Sequence, residues 1–239
     1  MMYYHIGDIM KYESTVKGRF ISRPNRFIAK VEIDGKEETV HVKNTGRCRE
    51  ILIPGCQVYL EKAKTPARKT PYDLIAVEKT TKNGVILINM DSQIPNAAAA
   101  EFLPQSGLFP EGTSFRREVT YGNSRFDICA EYDGRKAFVE VKGVTLENDG
   151  LALFPDAPTE RGVKHINELI AAKAEGFDAY IMFIIQMDCV HTFSPNREMH
   201  PDFADALKAA DEAGVRILAY TCDVTPDSIK VKNPVKISL

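Results

Sequence analysis

Residues 121–144 read YGNSRFDICAEYDGRKAFVEVKGV, and within them Asp127, Glu140 and Lys142 bring two carboxylates and an amine into one short segment. Asp133-Gly134 between two strand-like runs is a strong hairpin signal that favours a two-residue type I′ turn. That turn sets Tyr132 opposite Arg135. The register then pairs Ala130 with Ala137, Ile128 with Val139 and Phe126 with Val141 along one apolar side. The other side pairs Glu131 with Lys136, Cys129 with Phe138, Asp127 with Glu140 and Arg125 with Lys142. Directly opposed Cβ atoms lie about 4.5–5.5 Å apart, so Asp127 and Glu140 are expected shoulder to shoulder. Lys142 follows two residues on along the same face.

Like charges placed opposite one another destabilise a sheet. A divalent cation bridged by both carboxylates would neutralise them, and hard oxygen ligands select Mg²⁺ or Mn²⁺ over zinc. Such a metal, with a lysine beside it, suits activation of water and stabilisation of charge on a phosphate under in-line attack. The plainer alternative is a surface acid pair neutralised by Lys142, Arg125 and solvent. One clean apolar side against one charged side favours the site.

Two regions are expected to carry this hairpin. Residues 1–84 hold short β-like runs broken by turn signals, among them RFIAKVEI-DG-KEETVHV, QVYLEKA and YDLIAVEK. Strands at that spacing predict a small antiparallel barrel, and one of the five-stranded oligonucleotide-binding (OB) type fits the length. From residue 85 strands alternate with helices, which predicts an α/β domain with a mixed sheet over 85–239. Its helices are NAAAAEFL, capped by Asn96, then TERGVKHINELIAAKAEG and PDFADALKAADEAG; AYIMFIIQM and VRILAY are its later strands. In the second helix Val163, Ile166, Leu169, Ile170 and Ala174 form an apolar stripe. Arg161, Lys164, His165 and Glu168 form a separate polar stripe, either solvated or set beside the metal site with Arg161 and Lys164 on phosphates.

Charge is divided unevenly. Residues 1–84 carry 16 Lys and Arg against 10 Asp and Glu, while the remainder carries 15 against 23, within a net charge of −2. A basic module joined to an acidic one suggests that the first holds a polyanion. VKGRFISRPNRF interleaves Lys17, Arg19, Arg23 and Arg26 with Phe20 and Phe27, and KNTGRCR adds Lys43, Arg47 and Arg49. Basic side chains tracking a backbone, with aromatics for stacking, suit nucleic acid in a groove. For the two Phe residues a place in the core competes with that role. Gln186 ends an apolar strand where it either faces the site or simply closes the strand, and His191 and His200 have no visible partner.

The five cysteines are scattered with no CxxC pair, and the five histidines show no ligand spacing, which argues against a disulfide scaffold or structural zinc and for a reducing cytoplasm. No run of about 18 apolar residues predicts a membrane span, and the opening MMYYHIGDIMKYES lacks the charged-then-apolar pattern of a signal peptide.

Asp, a dozen residues, then Glu-Val-Lys at a strand end resembles the PD-(D/E)xK nuclease superfamily. KNTGR, PNAAAAEFL, YGNSRFDI, FVEVKGVTL, FPDAPTERGVKHINEL and GVRILAY, in that order over nearly the whole chain, resemble the sugar fermentation stimulation protein (SfsA) family. That resemblance implies DNA binding, an N-terminal OB fold and a nuclease-like second domain. It further implies Asp127 and Glu140 as metal ligands, Lys142 as the catalytic lysine, the Val141 carbonyl as a further ligand and Glu101 as an acid from the first helix. Phe126 departs from the superfamily pattern, standing where its name has proline. A nuclease fold can also serve as a binding module. Two functions therefore stand open: a metal-dependent nuclease, or a non-catalytic, non-specific DNA-binding regulator of sugar-metabolism genes. A hydrolase of some other phosphate ester is a third.

Overall fold

A computed structural model describes residues 10–44, 46–65, 68–122 and 124–239. Most of the opening segment, and Thr45 and Asn123 within two of the motifs quoted above, lie outside the described residues.

After strand β1 (Met10–Lys11) come six strands without a helix: β2 (Thr15–Asn25), β3 (Ile28–Ile33), β4 (Lys36–Val42), β5 (Gln57–Lys62), β6 (Tyr72–Thr81) and β7 (Gly84–Asn89). They run in the order β4-β3-β2-β5-β6-β7. The start of β6 also pairs in parallel with the end of β4, through His41 opposite Asp73 and Val42 opposite Leu74. That extra pairing closes five strands into the expected barrel. Alternation in β2 sends Gly18 and Phe20 inward and Lys17, Arg19 and Ile21 outward. The later part of β6 carries β7, so residues 84–89 extend the barrel sheet and the change of architecture falls after them, later than expected.

The second unit begins with α1 (Ile94–Phe102), then β8 (Ser114–Tyr121), β9 (Ser124–Tyr132), β10 (Arg135–Val144), β11 (Leu146–Asn148) and β12 (Leu151–Phe154). There follow α2 (Glu160–Ala174), β13 (Asp178–Ile185), β14 (Thr192–Pro195), α3 (Pro201–Glu212), β15 (Arg216–Thr225), β16 (Ser228–Pro234) and β17 (Lys236–Ile237). The main sheet is mixed, in the order β1-β16-β15-β13-β10-β9-β8, with β10, β13 and β15 parallel. β11, β12, β14 and β17 form a small additional sheet. After its first residue, Asp178, strand β13 is a run of buried, mainly apolar side chains, because both its faces are covered. On one side α1 packs Ile94, Ala98 and Ala99 on Ile128, Val139, Val141 and Met182. On the other, α2 and α3 pack Ile166, Leu169, Phe203 and Leu207 over Phe138, Ile181 and Phe183, in a cluster continuous with the barrel interior.

A polar seam joins the two units. Buried Gln186 donates from Nε2 to Asn89 Oδ1 and to the Asp91 carbonyl, at 3.0 and 3.1 Å. Asn89 Nδ2 donates to the Tyr12 hydroxyl at 2.9 Å. Lys79 bonds both the carbonyl and the carboxylate of Glu147. Lys43 pairs with Asp91 at 3.1 Å. Gln186 is thus part of the seam rather than a plain strand end.

Candidate active site

The hairpin forms as its turn dictates. Asp133 and Gly134 have φ of 47° and 72°, the two positive values a type I′ turn needs. Pairing follows the expected register from Tyr132–Arg135 through Ile128–Val139. There the ladder stops. In place of a backbone acceptor, the Asp127 carboxylate enters the gap, with Oδ2 taking the Val141 N–H at 2.8 Å. Its Oδ1 accepts from Asn96 Nδ2 on α1 at 2.6 Å.

This corrects three expectations. Phe126 does not face Val141 on the α1 side; it turns to the α2 side, with its ring 4.9 Å from that of Phe138. Arg125 pairs across to Thr120 and reaches Glu118 rather than Lys142. Asp127 and Glu140 are not paired in the ladder: Asp127 lies in the fork between the strands and bonds Asn96 of α1, while Glu140 bonds His165 of α2, the two carboxylates remaining near enough for the Glu140 charge to act on Asp127. The physical reason is that a buried Val141 N–H needs an acceptor, and the Asp127 side chain supplies it where the ladder ends. Helix α1 is also entered at Gln93, with Pro95 in its first turn. Asn96 therefore does not cap it and is free to bind Asp127.

Glu140 is 2% exposed. Its Oε1 accepts from Lys142 Nζ at 2.7 Å and from His165 Nδ1 on α2. Its Oε2 is buried without a hydrogen-bond partner. Arg161 Nε donates to His165 Nε2 at 3.3 Å, which assigns the ring proton to Nδ1. Helix α2 can aim these side chains because its start is fixed: Thr159 Oγ1 accepts from the Gly162 N–H at 3.1 Å, and Gly162 lies closely against Phe203. Further along the same stripe, Ser124 donates to Glu168, and Lys164 sits 3.6 Å from Glu168 while remaining largely exposed. The polar stripe of α2 therefore faces the fork.

The two acids differ electrostatically. Burial, then the neighbouring Glu140 charge, push the Asp127 carboxyl above its usual range, against the Val141 N–H, Lys142 and Asn96. Burial also opposes ionisation of Glu140, but the His165 hydrogen bond and Lys142 outweigh it and hold the carboxyl low. Gly143, next to Lys142, admits no side chain: a Cβ there would come within 2.6 Å of both Gln186 Oε1 and Pro95 Cγ. The seam thus fixes the backbone that carries Lys142.

Glu101 does not join this group. It stands five residues beyond Asn96, about 140° further round the helix, and lines a groove with Ile229, Lys230 and Val231 of β16. Strands β13 and β15 lie between that groove and β10. The basic residues of the barrel also divide. The Arg23 guanidinium bonds four backbone carbonyls, those of Arg26, Asn44, Gly46 and Arg47. Arg19 reaches the Gly55 carbonyl at 3.4 Å. Lys17, Arg26 and Arg47 are exposed. Among the described residues no ion pair joins these three to a carboxylate.

Asn96 and Ser124 are site residues that pattern alone did not assign, and His165 was named only as a member of the polar stripe, without its bond to Glu140. The one available signal was the spacing of Arg161, His165 and Glu168 on a single helical stripe.

Two family models divide the chain. The "SfsA N-terminal OB domain" matches residues 21–88 and the "Sugar fermentation stimulation protein RE domain" matches residues 93–228. The chain belongs to the SfsA family. The SfsA boundary between these segments falls just after β7, as the sheet topology requires. Among SfsA relatives, a sugar fermentation stimulation protein homolog of Desulfitobacterium hafniense (strain Y51) is 58% identical over 230 residues, covering 96% of this chain and 99% of the relative. The homolog of Clostridium beijerinckii is 53% identical over 230 residues, covering 96% and 100%. The solved structure of Pyrococcus furiosus SfsA in complex with Ca²⁺ superposes with a TM-score of 0.83 at 30% identity, covering 97% of this chain and 99% of that one. Among the described residues no helix is long and apolar enough to cross a membrane.

Proposed function

We propose that this SfsA family member binds DNA on its barrel and hydrolyses phosphodiesters at the fork between β9 and β10, using Asp127, Glu140 and Lys142. The observation that carries this reading is Glu140 Oε2, a carboxylate oxygen buried with no donor. Leaving such a group unmet costs free energy, and a hard divalent cation is a partner of the right chemistry. Glu140 Oε2, the Asp127 carboxylate and the Val141 carbonyl would hold Mg²⁺ or Mn²⁺. A bound cation of that kind supplies a more acidic water and neutralises charge gathering on the phosphate. Lys142 keeps a positive charge at the same place, and His165 and Lys142 together fix the orientation of the Glu140 carboxylate. Arg161 and Lys164, at the exposed start of α2, would meet the phosphates on either side. The Ca²⁺ of the Pyrococcus furiosus complex supports the choice of a hard cation.

A second reading, a DNA-binding regulator with a silent nuclease fold, is favoured by the engagement of both Asp127 oxygens, one by Asn96 and one by the Val141 N–H. It is also favoured by the lack, among the described residues, of three or more His, Cys, Asp or Glu side chains grouped to hold a metal. One experiment separates the two. Plasmid and single-stranded DNA are incubated with the protein in Mg²⁺ or Mn²⁺ and in EDTA, beside Glu140→Ala. Cleavage lost in EDTA and in the variant supports hydrolysis; binding without cleavage in any metal supports the regulator. Affinity in either case should fall steeply with salt, because phosphate contacts release counterions.

A further inference from the structure

Phe20 and Phe27 lie in one basic stretch but reach different fates. Phe20 is 3% exposed inside the barrel, whereas Phe27 is 51% exposed at the tip of the β2–β3 hairpin. The backbone beneath Phe27 is held firmly. Asn25 Oδ1 accepts from the N–H groups of Phe27 and Ile28 at 2.9 and 3.0 Å, and the Phe27 carbonyl accepts from the Val42 N–H at 2.8 Å. A ring that turns outward from an anchored backbone loses little freedom when something packs on it.

Its surroundings are cationic. By bonding the Arg26, Asn44, Gly46 and Arg47 carbonyls, Arg23 draws the hairpin tip against Asn44, Gly46 and Arg47. Arg26 and Arg47, whose carbonyls are held in that clamp, and Arg49, two residues further on, are exposed. Elsewhere on the barrel several cations are answered by acids, Lys30 by Glu37, Lys43 by Asp91, Arg68 by Asp73 and Lys82 by Asp149, although Lys17 and Arg19 stand without one among the described residues. An exposed aromatic ring among arginines that, among the described residues, no carboxylate answers suits a polyanion that also offers flat apolar faces. The faces of duplex bases are already stacked on one another, so the fitting polyanion is a single strand. The loop clamped by Arg23 also rests on the second unit, with the Asp156 carboxylate where a side chain at Gly46 would stand, just ahead of α2.

We propose that Phe27 is a stacking platform for a base of single-stranded nucleic acid, with Arg26 and Arg47 on the adjoining phosphates. This rests on the DNA-binding reading above and adds the form of strand and the anchoring residue. The test uses the full chain in EDTA, with binding read by anisotropy of a labelled oligonucleotide. Three probes are compared: an intact single strand, the same strand with abasic sites, which keeps every phosphate, and the duplex. Wild type should bind the intact strand about 5- to 150-fold more tightly than the abasic one, the range for one stacked base. Phe27→Ala and Phe27→Leu should lose that preference while matching wild type on the abasic strand and in thermal melting. The proposal is overturned if either variant binds the intact strand as wild type does. It is equally overturned if the duplex binds as tightly as the single strand and loses as much on substitution, the behaviour of a ring wedged between base pairs. If wild type binds none of the three probes, the DNA-binding reading fails together with it; binding that ignores Phe27 removes this proposal alone.

Discussion

Arg23 was expected on sequence grounds to touch phosphates, and its position instead makes it a brace for the barrel loops. Substitution by Ala and by Lys distinguishes the two roles. Its four hydrogen bonds measure 2.7–2.9 Å, and two of them, to Asn44 and Gly46, are partly buried. Charge-assisted bonds are worth about 1.5–3 kcal/mol each when solvent cannot replace them. The two partly buried bonds therefore contribute roughly 3–6 kcal/mol, and the two exposed carbonyls rehydrate at little cost. Against this, Arg23 Nε is buried without a partner, and removing it recovers about 1–3 kcal/mol. From the middle of each range, Arg23→Ala should then cost about 2–3 kcal/mol, or roughly 4–12 °C in Tm for a chain of this size. Lysine carries the charge but lacks the planar fork, so Arg23→Lys should recover only a minor part. Arg47→Ala should leave Tm unchanged while weakening DNA binding. Urea titrations and calorimetry of the three variants read this directly. If Arg23→Ala melts within about 1 kcal/mol of wild type, or Arg23→Lys restores full DNA affinity, the brace is refuted.

Gly143→Ala should destabilise by about 1–3 kcal/mol through overpacking, because its Cβ would meet Gln186 and Pro95 at 2.6 Å; a differential melt against wild type checks it. His165→Ala should weaken Mn²⁺ affinity about 10- to 100-fold, as expected for loss of a group orienting a ligand. His165→Asn, which restores a donor, should recover part of that affinity in a calorimetric titration. Asp73 concerns pH: burial opposes its ionisation, but Arg68, His41 and Lys43 outweigh burial and hold its carboxyl below the usual range. The stability it contributes is complete above the unfolded value of about 3.9 and is lost as pH falls through the lower folded one. Asp73→Asn should therefore cost about 3–5 kcal/mol near neutrality, with the gap to wild type closing only below about pH 4 in chemical denaturation.

Much of the architecture could be read from residue pattern. The Asp133-Gly134 turn set the register of β9 and β10 because two positive φ values leave little choice, and the alternating runs announced the barrel. The fork at Asp127 was not readable, since pattern assumes that backbone acceptors continue the ladder and here a side chain takes over. The brace at Arg23 was hidden for a similar reason: backbone carbonyls leave no trace in sequence. Phe20 and Phe27 look alike in composition, and only the hairpin between them sends one inward and the other to solvent. The strands of the small additional sheet were missed because two- to four-residue strands carry too little periodicity to register. Glu101 was placed by helix membership alone, without its angle around the axis.

Strand β1 lies beside β16 at the margin of the main sheet, although the entire barrel separates them along the chain. Topologically the OB unit is an insertion, threaded between the first strand of its host and the rest of it. A fragment beginning at residue 85 would leave β16 with an open hydrogen-bonding margin, a surface that recruits other chains. That margin is completed by a segment that precedes the barrel, joined to a partner that follows it by most of the second unit. The two halves are therefore better regarded as one cooperative body than as separable modules, and cutting between them should give a sticky product rather than two working domains.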